Sequence, residues 1–369
     1  MVVTLTIETD TLKYYIQKSQ LDLAYLQKKI SNFDKFMSGE KQPTFNQLSE
    51  IAKKLNVPTG LLLLKNKVDM DSKRLDFRTL NSDHIEKMSP ELRDTINEME
   101  AKQDFLREEI DNTVNFIGTF NIDSNIDEIV YKIRKDLDIE IFWQKKSGSS
   151  PLNYLRKKIS DLGVYIFFNG KVKDNTHRPL SVNEFRGFVL KDDKAPIIFI
   201  NQRDFKNGQL FTLVHELVHL YVGTEEIFNI VDTGFFTYDR TEAFVNKVTA
   251  ELLVPKSKLL NELDKDLEDL SRMFKVSKFV ILRRLLDIGK IDKKEYSEAI
   301  AQLEEELKRI PIKSSGSGNY NNNLKFRVDG KFVSLVENAV VRNKISYTDA
   351  FNIVGVGIKG YKTLTEGGN

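Results

Sequence analysis

Apolar residues recur at helical spacing through residues 10–65 of the 369-residue chain. The clearest helix begins near Thr44, because Thr44 and Gln47 stand at the spacing of a capping box. Its apolar stripe consists of Phe45, Leu48, Ile51, Ala52 and Leu55. Asn56 and Pro58 end the pattern. The spacing therefore predicts several short helices in this segment.

Charged residues dominate residues 84–140, although a few apolar residues recur among them at helical spacing. These apolar residues are Leu92, Ile96, Met99 and Phe105. The pattern predicts a solvated helical connector. The small and turn-forming residues at 147–151 indicate the boundary with the next domain.

The centre of the chain alternates between strand-like and helix-like patterns. Three apolar runs predict strands at residues 164–168, 185–190 and 197–200. Residues 192–194 suit a hairpin turn between the last two runs. Apolar helical patterns cover residues 152–161, 209–222 and 240–253. We therefore expect an α+β fold that is mostly helical.

The last third of the chain is helical again over residues 256–309. The pattern of residues 267–290 is similar to a helix–turn–helix and includes the basic residues Lys278, Arg283 and Arg284. We favour the interpretation that this segment packs against the preceding domain over the interpretation that it binds DNA. Ser, Gly and Asn dominate residues 314–323, which is typical of a flexible linker.

Composition and charge narrow the function classes. The chain is 40% hydrophobic and 30% charged, the balance of a soluble globular protein. Its 56 Lys and Arg against 54 Asp and Glu give a net charge of only +2, so any DNA contact must be local. It contains no cysteine, which excludes disulfides, thiol catalysis and Cys-ligated metals. Neither a signal peptide nor an apolar run of the roughly 18 residues needed to cross a bilayer is recognisable, so we expect a cytoplasmic protein without a membrane partner.

His215-Glu-Leu-Val-His219 carries the most specific chemistry in the sequence. Histidines at i and i+4 lie one turn apart on one helix face, so both can bind one Zn²⁺ at about 2.0–2.1 Å. Glu216 stands beside His215, in the position of the general base that activates water in zinc hydrolases. A surface helix with a stray match would alternate polar and apolar faces, whereas the other positions here are nearly all apolar. Burying two imidazoles and a carboxylate without partners is costly, so we predict one Zn²⁺ per chain, with Mn²⁺ as the alternative ion.

A catalytic zinc site needs a third protein ligand, and we predict Glu242 on the next helix. Asn246 follows Glu242 at i+4, faces the same way and could orient a ligand histidine. The other acidic candidates are Glu225, Glu226, Asp232, Asp239 and Glu251. The alternative role for Glu242 is that of an ordinary carboxylate at the start of a helix, where the helix dipole stabilises it.

These residues resemble the ImmA/IrrE family of bacterial metallopeptidases. The resemblance rests on His215-Glu-Leu-Val-His219, the Glu242-x-x-x-Asn246 pattern and Ala250-Glu-Leu-Leu-Val-Pro255, with weaker likeness elsewhere. It implies a zincin-like peptidase of the gluzincin type, with His215, His219 and Glu242 as ligands and Glu216 activating water. Phe244 stands where many members carry a second glutamate, which leaves this ligand pattern intact.

Residues 10–65 resemble the Cro/repressor type of helix-turn-helix, with an expected recognition helix near residues 32–37. The lysines that could contact phosphates are Lys28, Lys29, Lys35 and Lys41. The first 65 residues contain no arginine, the commonest reader of guanine, so a degenerate domain used for protein contacts remains the alternative.

The chain is thus expected to divide into five segments. These are a helix-turn-helix-like domain (1–70), a helical connector (71–146), a zincin-like metallopeptidase domain with a helical subdomain (147–311), a flexible linker (312–323) and a small C-terminal module (324–369).

The resemblance implies an endopeptidase that cleaves a regulatory protein, a helix-turn-helix repressor, and so derepresses genes of a bacterium or phage. Tyr238 or His177 could stabilise the oxyanion. The alternative is a non-catalytic DNA-binding regulator that uses the zincin fold as a sensor or scaffold. A role in a toxin system or in phage defence is equally compatible with the sequence.

Overall fold

The computed structural model describes residues 4–19, 23–55, 57, 59–64, 88–223, 240–309 and 319–366. The chain divides into two units, residues 1–78 and 79–369, each with its own apolar core.

Short helices make up the first unit, as the spacing predicted. They are α1 (Thr9–Ser19), α2 (Leu23–Lys29), α3 (Phe33–Ser38) and α4 (Phe45–Leu55), followed by a 3₁₀ turn (Thr59–Leu63). The predicted capping box is present: Thr44 N donates to Gln47 Oε1 (3.0 Å) and Gln47 N donates to Thr44 Oγ1 (3.3 Å). Phe45, expected in the apolar stripe, is instead 60% exposed at the start of α4.

The second unit is built around a three-stranded sheet. Its strands are β1 (Tyr165–Asn169), β2 (Gly187–Leu190) and β3 (Ile197–Asn201). Their order is β1-β3-β2; β3 pairs parallel with β1 and antiparallel with β2. The predicted turn between β2 and β3 is stabilised by Asp192 Oδ1, which accepts from the backbone N–H groups of Lys194 and Ala195.

Helices surround this sheet. Those described are α5 (Pro90–Glu109), α6 (Ile126–Asp136), α7 (Pro151–Asp161), α8 (Lys206–Val222), α9 (Arg240–Leu253), α10 (Lys256–Leu259), α11 (Leu267–Phe274), α12 (Lys278–Asp287), α13 (Lys293–Arg309), α14 (Tyr320–Arg327), α15 (Gly330–Val341), α16 (Tyr347–Val354) and α17 (Ile358–Thr365). The mostly helical α+β class is therefore confirmed. None of the described helices is long and apolar enough to cross a membrane.

Every strand residue is buried, because both faces of the sheet are covered. Alternate residues point to opposite faces. Ile166, Ile198 and Val189 belong to a core formed with α6, α7, α8 and α9. Phe167 and Phe199 belong to a second core formed with α5 and the C-terminal helices α14 to α17. The sheet is thus the middle layer of a helix–sheet–helix arrangement.

Helix α5 is part of this second core, whereas its charge pattern had indicated a solvated connector. Lys102 is 2% exposed, and its Nζ donates to Glu98 Oε1 (2.8 Å) and to two backbone carbonyls at the end of α16. Gln103 is 4% exposed, and its Nε2 donates to Leu190 O (3.0 Å) and Ala195 O (2.9 Å). The helix looked solvated because two of its buried positions carry polar residues with partners.

The C-terminal helices cover the outer edge of β1. Asp329 Oδ2 accepts from Ile166 N (3.2 Å), and Arg156 Nη2 donates to Ile166 O (3.0 Å). An uncovered edge strand would offer unpaired backbone groups to other chains. The described part of the expected C-terminal module (324–369) shares a core with the sheet.

Helices α11 and α12 form the helix–turn–helix-like feature of residues 267–290. Lys278 pairs with Glu268 (2.8 Å) and Arg283 pairs with Asp287 (2.9 Å). Arg284 is 6% exposed and packs against the end of α9. These contacts favour the packing interpretation over DNA contact by α12.

Candidate metal centre

Helix α8 carries the two histidines one turn apart. His215, Glu216 and His219 are at most 2% exposed, as expected from the apolar sequence around them. The helix ends at Gly223, which has a φ of 71° and donates its N–H to His219 O (2.9 Å). A glycine allows this left-handed ending at little cost.

Helix α9 brings Glu242 to the histidines from its first turn. The Nε2 atoms of His215 and His219 are 3.0 Å apart. Glu242 Oε2 lies 3.3 Å from His215 Nε2, and Glu242 Oε1 lies 3.0 Å from His219 Nε2. The structure therefore brings together the three predicted ligands, and a donor atom from each lies within 4.8 Å of the others.

The distances between these donor atoms resemble the edges of a zinc tetrahedron, with Glu242 turning a different carboxylate oxygen to each histidine. Ligand atoms at about 2.0–2.1 Å from an ion in tetrahedral geometry are about 3.3 Å from each other. The observed edges of 3.0 to 3.3 Å are close to that value. Two imidazoles and one carboxylate are also the donor set of His₂Glu catalytic sites. The residues thus fit a divalent ion with one position left open.

The electrostatics of the three side chains favour positive charge between them. Burial disfavours a charged His215, but hydrogen bonds and charge from Glu242, with help from Glu216 and Asn246, raise the pKa of His215 overall. Burial likewise opposes the charge on Glu242, yet the two histidines hold the pKa of Glu242 far below its usual range. A cation placed among them would meet an ionised carboxylate. Asn246, predicted to orient a ligand histidine, faces His215 from the next turn of α9.

Strand β2 passes close to Glu216. A Cβ atom at Gly187 would lie 2.5 Å from Thr212 Cγ2, 2.9 Å from Phe199 O and 3.3 Å from Glu216 Oε1. Only glycine therefore fits between the sheet and the Glu216 turn of α8. Gly187 was not among the predicted site residues, although a glycine inside an apolar strand is a sign of close backbone approach.

Other predicted residues lie elsewhere or outside the described residues. Tyr238 and the rival ligands Glu225, Glu226, Asp232 and Asp239 are outside them. Glu251 pairs with Arg284 at the opposite end of α9 from Glu242. His177 is exposed in a loop next to Arg178, which pairs with Glu91 and Asp94 at the start of α5.

The four lysines predicted to contact DNA belong to the first unit. Lys29, Lys35 and Lys41 are exposed, and the side chain of Lys28 lies outside those described. Lys35 pairs with Glu40 (3.5 Å). Helix α3 covers residues 33–38, one residue later than the expected recognition helix, and also exposes Asp34.

Comparison with known proteins gives one match. Neither a curated protein nor a solved structure shows significant similarity to the chain. Residues 159–286 match the model of a peptidase family, M78, described as the IrrE N-terminal-like domain. The matched segment includes β1 to β3, both ligand-bearing helices and most of α12. The match supports a peptidase-like domain of the IrrE type over residues 159–286 of the chain.

Proposed function

We propose that the chain is a zinc-dependent endopeptidase of the gluzincin type that cleaves a regulatory protein, a DNA-binding repressor. The observation that carries this proposal is the cluster of His215, His219 and Glu242, in which both histidines are buried, with Glu216 next to His215 on the same helix. Its setting within a segment that matches a peptidase family supports the assignment. Mn²⁺ is the alternative ion for the same donors.

In the proposed hydrolysis of a peptide bond, the ion and the side chains of the protein have different roles. A bound divalent ion would polarise the scissile carbonyl and lower the pKa of a water molecule. Glu216 accepts the proton of the attacking water and passes it to the leaving amine. His215, His219 and Glu242 would hold the ion, and the nearly complete burial of the two histidines excludes water from their side chains.

Glu216→Gln is the decisive variant for this mechanism. The amide has nearly the same shape but cannot accept a proton, so we expect retained zinc and a loss of cleavage of at least a hundredfold. A general screen with casein or a quenched peptide library, followed by purified helix-turn-helix repressors, supplies the activity readout. Glu304→Gln, an exposed change on α13, is the matched control. Full cleavage by the Glu216 variant would contradict the mechanism.

The alternative of a non-catalytic DNA-binding regulator has less support. Residues 1–65 carry nine lysines against six acidic residues, a net charge of only +3. The exposed surface of α3 presents Asp34 beside Lys35, and Lys35 is paired with Glu40. Operator binding that weakens steeply between two salt concentrations in a gel-shift titration would favour this alternative.

A further inference from the structure

The C-terminal end of α9 presents four backbone carbonyls that need outside donors. The last four carbonyls of any helix lack partners within it. Here Val254 N makes the final backbone bond, to Ala250 O (2.7 Å). Pro255 has no N–H, so it cannot bond to Glu251 O as the next residue of a helix would. Residues 251–254 therefore depend on side chains from elsewhere.

Each of the four carbonyls accepts from a different side chain, and we call these four side chains the α9 clamp. Arg134 Nη2 donates to Glu251 O (2.9 Å), Trp143 Nε1 to Leu252 O (3.2 Å), Gln144 Nε2 to Leu253 O (2.6 Å) and Arg284 Nε to Val254 O (3.0 Å). The donors come from α6, from a 3₁₀ turn (Trp143–Lys146) and from α12. Three separate elements thus converge on one helix end.

The donors are themselves fixed. Trp143 and Gln144 are each 1% exposed, and Arg284 is 6% exposed. The Trp143 ring stacks on Tyr154 with an angle of 2° between the rings. Arg284 also forms an ion pair with the side chain of Glu251. Such buried donors cannot follow the helix if it moves, so they define one axial position and one rotation for it.

We propose that the α9 clamp positions Glu242 for metal binding, although the clamped carbonyls lie roughly 14–18 Å from Glu242 along the helix. A helix transmits a shift of one end to the other. A metal site tolerates deviations of only about 0.2 Å in its ligand distances. The clamp residues are therefore positioning residues of the proposed metal site, on which this inference rests.

The test compares the loss of buried hydrogen-bond donors inside the clamp with the loss of a similar buried donor outside it. Trp143→Phe/Gln144→Met removes two donors of the clamp; methionine keeps the volume of Gln144, and phenylalanine keeps an aromatic ring but is smaller than the indole. Gln103→Met is the matched control, because Gln103 is also a buried glutamine whose Nε2 donates to two backbone carbonyls, but it lies on α5. The single variant Gln144→Met serves if the double variant does not fold.

The readouts are the Kd for Zn²⁺, measured by competition with a chromophoric chelator, the visible spectrum of bound Co²⁺ and the midpoint of urea unfolding. We expect both variants to lose stability. We expect the double variant to raise the Kd for Zn²⁺ about tenfold, and Gln144→Met alone to raise it about threefold. We also expect both to alter the spectrum of bound Co²⁺. Gln103→Met stays within twofold of the unaltered chain.

Wild type and Glu242→Ala, measured alongside, separate the two claims. Suppose that Glu242→Ala loses zinc binding but the clamp variants have the same Kd for Zn²⁺ as Gln103→Met. That result would contradict the positioning role of the clamp and leave the proposed function standing. Absence of zinc binding in the wild type would overturn the proposed function and this inference with it.

Discussion

At the scale of single residues, the site depends on how closely β2 approaches α8. Gly187 leaves no room for a side chain between Phe199 O and Glu216. We expect Gly187→Ala to reduce cleavage by at least tenfold and to destabilise the second unit by about 1–3 kcal/mol, because the added methyl must displace Thr212 and backbone. Activity and urea unfolding check this. Gly330→Ala is the control, since a Cβ there meets nothing within 4 Å. Equal behaviour of the two variants would contradict the close approach.

Glu100 gives a pH-dependent prediction. Burial, with a smaller effect from Asp104, raises the pKa of Glu100 from 4.5 to about 7. The folded chain therefore holds a proton that the unfolded chain releases above pH 4.5, so this group's contribution to stability falls as the pH rises from 4.5 to 7. The full pKa shift of Glu100 corresponds to about 3 kcal/mol of unfolding free energy. Because the side chain is only partly buried, solvent screening reduces the expected change to about 1 kcal/mol.

Glu100→Gln should accordingly stabilise the chain at pH 8 and change little at pH 4.5. Urea unfolding at the two pH values measures the difference. Glu108→Gln, at an exposed position of the same helix, is the control. An equal gain at both pH values would point to helix propensity rather than to the buried charge.

The residue scale also shows what a sequence can reveal about a site. His215 and His219 could be recognised because two ligands one helical turn apart leave a local pattern. Glu242 followed from a second local pattern on the next helix. The α9 clamp left no such pattern, because its donors are up to 150 residues apart and meet only in the fold. Trp143, the only tryptophan of the chain, was the one hint.

At the scale of elements, the predicted strands and the helices around them agree with the structure to within about three residues. Their signals are local, because apolar runs and proline stops act within one element. The burial of α5 and the packing of the C-terminal helices against β1 had no such local signal. Lys102 and Gln103 hide the buried face of α5, and the cover over β1 is a contact between segments about 160 residues apart.

Asp329 tests the role of this cover. Its Oδ2 accepts from Ile166 N on β1, and its Oδ1 accepts from two N–H groups in the first turn of α15. Asp329→Ala should therefore cost about 2–4 kcal/mol of unfolding free energy, the sum of a lost cap and a buried N–H left unsatisfied. Ser346→Ala, which removes only the exposed cap of α16, should cost about 1 kcal/mol. Equal losses in urea unfolding would mean that the contact with β1 contributes nothing.

At the scale of the whole molecule, the second unit unites the sheet, the ligand-bearing helices and the C-terminal helices around two cores. Helix α8, which carries His215 and His219, packs on one face of the sheet, so the sheet supports the first two predicted ligands. Helix α9 adds Glu242, the third predicted ligand, and its far end accepts hydrogen bonds from the clamp. The proposed peptidase activity requires the sheet, α8 and α9 together to bring His215, His219 and Glu242 within reach of one ion.

Metal stoichiometry by native mass spectrometry tests this account most directly. The wild-type chain and Glu242→Ala are purified side by side and supplied with equal zinc, with Lys247→Ala, an exposed change on the same helix, as a control. The account predicts about one Zn²⁺ per wild-type chain, the loss of most of it in Glu242→Ala and nearly full retention in Lys247→Ala. A wild-type chain that binds no zinc, or a Glu242→Ala variant that binds as much as the wild type, would contradict it.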